Sequence, residues 1–203
     1  MKITSLSFLA LACTTGLAFA DSQEFNFKDP KGVNTATFRL DAPLEAISGS
    51  ANGISGTVSF DPANPSATKG KIVIASSTLT VPNSMMNGHL HSDKWMDVAK
   101  YPEISFDARS LKNVRTTGDT TSAEASGTMT IKGVSKEMTV PVKLTYLKDK
   151  LGLRVPNMKG DLLVLRTNFT IKRSEFNIMP GQTEEKVSDT IELTVSISGA
   201  FAR

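Results

Sequence analysis

The chain has 203 residues, 39% of them hydrophobic and 21% charged, with 14 Gly, 9 Pro and a single Cys. That composition excludes a disordered chain, a collagen-like repeat and a disulfide-stapled miniprotein, and the length favours one domain with one sizeable core. The net charge of +3 is spread along the chain, with no basic run of the kind that tracks a phosphate backbone, so nucleic acid is not an expected partner.

Lys2 precedes an apolar stretch from Leu6 to Ala12, and Ala18-Phe19-Ala20 supplies small residues at the minus-three and minus-one positions of a secretory cleavage site. Residues 1–20 therefore read as a signal peptide and 21–203 as one exported domain. The apolar stretch is too short to cross about 30 Å of hydrocarbon, and no later segment holds about 18 consecutive apolar residues, so no integral membrane segment is expected. Cys13 raises a lipoprotein signal, but Ala10-Leu11-Ala12 matches that box poorly. Without Cys13 the exported domain has no thiol and must be held by its core alone.

Beyond the leader the pattern is one of strands. Val58 and Phe60, Ile72 and Ile74, Ile104 and Phe106, and Met129 and Ile131 each mark a short period-two segment. Met138, Val140, Val142, Leu144 and Tyr146 alternate with polar residues, with Pro141 pointing to an edge or bulge. Leu165, Phe169 and Ile171 mark the next strand, and Ile191, Leu193, Val195 and Ile197 alternate strictly with polar neighbours in the last. Turn residues separate these segments, at Asp61 to Pro65, Gly118-Asp119, Lys148 to Gly152 and Met179 to Gly181. About eight strands result. Only the stretch near residues 84–99 resists this reading: Met86 and Leu90 stand four apart, and Ser92 is placed to cap a second helical turn carrying Trp95, Met96 and Ala99 before Pro102. Strands with one dry face each, and no helix-strand alternation, predict an antiparallel barrel or sandwich. An eight-stranded barrel is either filled by side chains or holds one small ligand.

Residues able to carry chemistry are few. His89 and His91 bracket Leu90, with Asp93 beside them; on a strand the three would share a face, but on a helix an i, i+2 pair diverges. A metal site needs three or four converging ligands, so hydrogen-bonded loop histidines are the plainer reading. No Gly-x-Ser-x-Gly elbow, phosphate-cradling Gly-rich loop or His-Glu-x-x-His occurs, and an enzyme is not expected. Of the methionines, Met85, Met86 and Met96 flank the helical insert with Trp95, and such polarizable side chains either line an adaptable apolar cavity or fill a core.

Asn87-Gly88-His89-Leu90-His91-Ser92-Asp93-Lys94-Trp95-Met96-Asp97-Val98-Ala99-Lys100-Tyr101-Pro102, followed by a strand through Phe106, resembles the signature region of the YceI-like polyisoprenoid-binding family. Gly127 to Lys136, Ile171 to Ile178 and Val187-Ser188-Asp189 follow in the family's order. The chain departs from it in having Asn87-Gly88 where a charged pair is usual, and in the stretch Leu151 to Leu165. The resemblance implies an extended, lipocalin-like eight-stranded antiparallel β-barrel in the periplasm. Its interior would take up a long-chain isoprenoid lipid, either a polyprenyl group or the tail of an isoprenoid quinone, with no cofactor and no catalytic residues. A homodimer is compatible with it. The residues expected to line the ligand are Met86, His89, Leu90, Trp95, Met96, Phe106, Met129, Val140, Val142, Phe169, Ile171 and Arg173. His89, Asn87 and Arg173 are the candidates for a headgroup, and Met85 to Met96 is the candidate flap. Two readings compete: an envelope interaction module with a solid core, and a metal-assisted enzyme using His89, His91 and Asp93.

Overall fold

The computed structural model describes residues 22–203, so the expected signal peptide and Cys13 lie outside the described residues. Ten strands make one sheet: β1 (Gln23–Asn26), β2 (Thr35–Asp41), β3 (Ala46–Ala51), β4 (Ile54–Phe60), β5 (Lys69–Ala75), β6 (Glu103–Thr117), β7 (Thr120–Ile131), β8 (Val134–Leu147), β9 (Gly160–Lys172) and β10 (Thr190–Ala202). Two short helices interrupt it, α1 (Ser84–His91) and α2 (Leu151–Arg154). Every neighbouring pair is antiparallel, in the order β1-β4-β5-β6-β7-β8-β9-β10-β2-β3, and β1 also pairs with β10.

The ten strands fill eight positions around a closed barrel. β2 and β1 lie in succession along one edge of β10, with Ser196 opposite Thr35 and Ala200 opposite Asn26. β3 and β4 pair with β2 and β1 in turn, so each pair acts as one broken strand. Period-two reading found the single-piece strands, while β1, with four residues, and β3, with its Ser and Gly, carry too little apolar signal. β2 does alternate Ala36, Phe38 and Leu40 with polar residues.

Asn34 holds the break between β1 and β2. It is 2% exposed, its Nδ2 donates to the carbonyls of Phe27 (3.0 Å) and Ser198 (3.1 Å), and its Oδ1 accepts from the Ser198 amide (2.9 Å). One carboxamide thus supplies β10 with the donor and acceptor that a neighbouring strand would have given it. Arg154 in α2 reaches the same place, on Asn34 Oδ1 (3.1 Å) and the Asp29 carboxylate (2.9 Å). Burial pushes the Asp29 carboxyl upward, but amides of Asn34, Lys31 and Val33, with Arg154, hold it below the usual carboxylate range.

The β4–β5, β6–β7 and β8–β9 connections lie at one end of the barrel, with Gln23 and Ala202. The β2–β3, β5–β6, β7–β8 and β9–β10 connections lie at the other. The first end is plugged: Phe25 sits 6.4 Å from Phe60, 6.2 Å from Tyr146 and 6.0 Å from Phe201 between ring centroids. Beneath the rings Asp161, fully buried, accepts from Tyr146 Oη (2.8 Å), the Asp149 amide (2.7 Å) and Arg203. Burial raises the Asp161 pKa, but these three donors outweigh it and leave it lowered. At the opposite end the two-residue turn at Lys132 and Gly133 has φ of 48° and 74°, the left-handed pair that a tight hairpin needs.

Two expectations are refined. The insert is helical only over α1: beyond it, amides of Trp95 and Asp97 turn back onto the Ser92 carbonyl and Met96 onto that of Leu90, while Asp97 takes a φ of 47°. Ser92 therefore closes α1, with its Oγ on the His89 carbonyl, and starts no second helix. Pro141 sits in unbroken register opposite Glu124 on β7, but the β8–β9 ladder runs only from Lys143 opposite Arg166 to Leu147 opposite Leu162. The proline thus marks a local edge facing β9.

Asn34→Ala strands the Ser198 amide and carbonyl and the Phe27 carbonyl in a buried seam, and is expected to cost about 3 kcal/mol, read as a lower urea midpoint at constant slope. Because Asp29 and Asp161 have lowered pKa values when folded, the unfolded chain binds protons more readily in acid. Stability should be full above the ordinary carboxylate pKa of about 4 and fall as pH drops through the lower folded values. Acid titration of the melting temperature checks this, and Asp161→Asn should flatten its own share of the slope.

Candidate functional site

Above the aromatic plug the barrel is not filled. The inward rows of the strands enclose a cavity of about 370 Å³, within the range of small-molecule pockets. β2 contributes Ala36, Phe38 and Leu40; β5 and β6 give Ile72, Ile74, Ile104 and Phe106. β7 adds Ala125, Met129 and Ile131, and β8 adds Val140, Val142 and Leu144. β9 closes the wall with Leu165, Phe169 and Ile171, and β10 with Leu193, Val195 and Ile197. Among the described residues, the only ionisable side chains on this wall are Lys69, His89 and Arg173. The solid-core arrangement is therefore not the one found.

Two segments cover the open end. The first is the β5–β6 connection, which lays Leu79, Val81, Met86, Leu90, Trp95 and Met96 over the cavity. Asn83 caps α1 by accepting from the Met85 amide (3.0 Å). Asn87 ties the segment down: its Oδ1 accepts from the Val81 amide (2.7 Å) and its Nδ2 donates to the Val81 carbonyl (3.1 Å). His91 Nε2 lies 2.7 Å from the Leu79 carbonyl. The second is the β9–β10 connection, residues 173–189, which brings Ile178 and Val187 to the cavity.

Arg173 organises that second segment. It is fully buried, and its five N–H groups meet the carbonyls of Ser188, Ile178, Met179, Gln182 and Val187. Ser174 and Asp189 close the base of the loop through two further bonds of 2.9 and 2.8 Å. A cation without a carboxylate is tolerated because five oriented carbonyl dipoles replace its water. The Arg173 guanidinium also stands 5.8 Å from the Trp95 ring centroid, which links the two lids.

All twelve residues singled out in the sequence lie on the cavity wall: Met86, His89, Leu90, Trp95 and Met96 in the first lid, Phe106, Met129, Val140, Val142, Phe169 and Ile171 on the strands, and Arg173 in the second lid. The polar candidates separate by their bonding. Asn87 and Arg173 are committed to backbone, whereas His89 is exposed, borders the cavity and has a ring free of hydrogen bonds among the described residues. His89, His91 and Asp93 do not converge, and among the described residues no group of three or more His, Cys, Asp or Glu is placed to hold a metal. The β2 row and its neighbour Ile47 on β3 escaped the sequence reading because their strands were not recognised. Ile191 to Ile197 were recognised as a strand but not as wall.

A closed antiparallel barrel with an apolar interior and a lidded mouth is the architecture of proteins that enclose small hydrophobic molecules. Residues 25–199 match the YceI-like domain model, and the chain belongs to the YceI-like family. It is 27% identical to Protein YceI of Salmonella agona over 200 residues, covering 98% of this chain and 96% of that protein. It is 32% identical over 147 residues to a UPF0312 protein of Pseudomonas savastanoi, covering 71% and 68%. Its fold matches a polyisoprenoid binding domain from Saccharophagus degradans with a TM-score of 0.64 at 12% identity, over 89% of this chain and 99% of that one.

Arg173→Met removes every donor of the five carbonyls, and Arg173→Lys restores only part of the fork. The first should cost about 3 kcal/mol and speed amide exchange selectively over residues 174–189, while exchange in the plugged end stays slow.

Proposed function

We propose that the protein binds and carries an isoprenoid lipid, a polyprenyl chain or the tail of an isoprenoid quinone, inside its barrel. The observation that carries this is the continuous apolar cavity between the aromatic plug and the two lids. Burying about ten methylene-sized groups there is worth roughly 8 kcal/mol before association costs, enough for useful affinity without any charged contact. The polyisoprenoid binding domain that shares this fold supports the same ligand class. His89 at the mouth is the polar group free to meet a headgroup, as donor or acceptor according to its tautomer. Met86, Trp95 and Met96 present soft, polarizable surface that adapts to a methyl-branched chain.

The role is binding without turnover. Among the described residues the wall carries no carboxylate, and its predominantly apolar lining supports a container. The leader expected over residues 1–20 and the YceI-like family together support a periplasmic location. No helix among the described residues is long and apolar enough to cross a membrane.

Native mass spectrometry and solvent extraction of protein purified from its own periplasm should recover a lipid-sized adduct. Ala125→Phe, which adds a bulky ring to the cavity wall, should abolish that adduct while lowering the melting temperature by no more than about 10 °C, since overpacking costs about 1–3 kcal/mol. Apoprotein that refuses added prenols, or undiminished binding by the filled variant, overturns the proposal.

A further inference from the structure

The β8–β9 seam of the barrel wall is zipped over only part of its length. The β7–β8 ladder runs unbroken from Thr120 opposite Thr145 to Ile131 opposite Val134, and the β9–β10 ladder covers all of β9. Between them, β8 and β9 pair only from Lys143 to Leu147, at the plugged end. Continued in the same register, the ladder would set Val142 opposite Thr167, Pro141 opposite Asn168 and Thr139 opposite Thr170, and none of these pairs forms. The cause is legible in the chain. The Pro141 carbonyl faces β9, where the Thr167 hydroxyl donates to it, and the ring nitrogen on that same side has no proton to give. A side-chain hydroxyl thus stands in for a backbone ladder that cannot propagate past the proline.

The unzipped halves lie directly against the cavity. Val140 and Val142 on one side, and Thr167, Phe169 and Ile171 on the other, all line it. The outward residues along this unpaired stretch, Thr139, Pro141, Asn168 and Thr170, are exposed and uncharged. We propose that this seam is a lateral portal, through which the length of a polyprenyl chain that exceeds the cavity leaves the barrel, so that the protein accepts chains much longer than its interior. This rests on the isoprenoid reading above and adds a length rule to it: short chains are enclosed, and long ones need the slit.

The test joins the slit with cysteines at Thr139→Cys and Thr170→Cys, bridged by oxidation or by a short bis-maleimide and verified by mass. Lys143→Cys with Arg166→Cys, in the zipped half, is the control. Binding of geraniol and of solanesol is then followed by native mass spectrometry and by loading rate. The bridged protein should bind geraniol as the parent does but take up solanesol at least about tenfold more slowly or more weakly; reducing a disulfide bridge should restore uptake, and the control bridge should change neither. Pro141→Val, which returns the missing N–H, should slow solanesol in the same sense and protect the amide of Asn168 or Thr170 from exchange. Unaltered solanesol uptake in the verified bridged protein overturns the portal alone. Failure of the parent to bind either prenol overturns the carrier function, and the portal with it.

Discussion

Closure of the sheet is the constraint on which the rest depends. An antiparallel meander leaves two edges, and an apolar interior survives in water only if those edges meet. Here they meet through a broken strand, with β2 on one half of β10 and β1 on the other, and with the Asn34 carboxamide serving the gap at Ser198. Arg154 and Asp29 brace that side chain from outside. A hollow protein cannot rely on central packing, so its strength must lie in the wall, and the polar atoms buried there are correspondingly well matched.

The two ends of the barrel divide the labour. At the plug, rings of Phe25, Phe60, Tyr146 and Phe201 lie over a buried carboxylate held by three donors. At the mouth, closure is provided by connections whose geometry comes from side chain to backbone bonds: Asn87 on Val81, His91 on Leu79, Arg173 on five carbonyls. Connections of this kind open locally at less cost than strands do. That suits a barrel with a lidded mouth, and the five carbonyls that hold the second lid are also what lets Arg173 stand buried beside an apolar cavity.

Much of this was legible in the amino-acid order. Strict alternation in Ile191 to Ile197 and Met138 to Tyr146 announces strands with one dry face, and the block from Asn87 to Phe106 carries the family resemblance. Strand pairing was less so. Nothing local tells that residues 23–41 form two pieces of one position, because the break is defined by Ser198, far away in the chain. The polar candidates also needed coordinates: Asn87, His89 and Arg173 look equally suited to a headgroup in sequence, and only their bonding partners set His89 apart. Pro141 announced a disturbed edge, but which neighbour it would face depends on the parity of the register.

The chain enters the described fold at Gln23 and leaves it at Arg203, both at the plugged end, where Arg203 bonds Asp149 and Asp161. A tether, fusion or solid support joined at Arg203 would therefore start from the end opposite the lids. An immobilised form would present its opening to the solution in a uniform orientation, and a tandem fusion of two copies would sit base to base with the two mouths pointing apart.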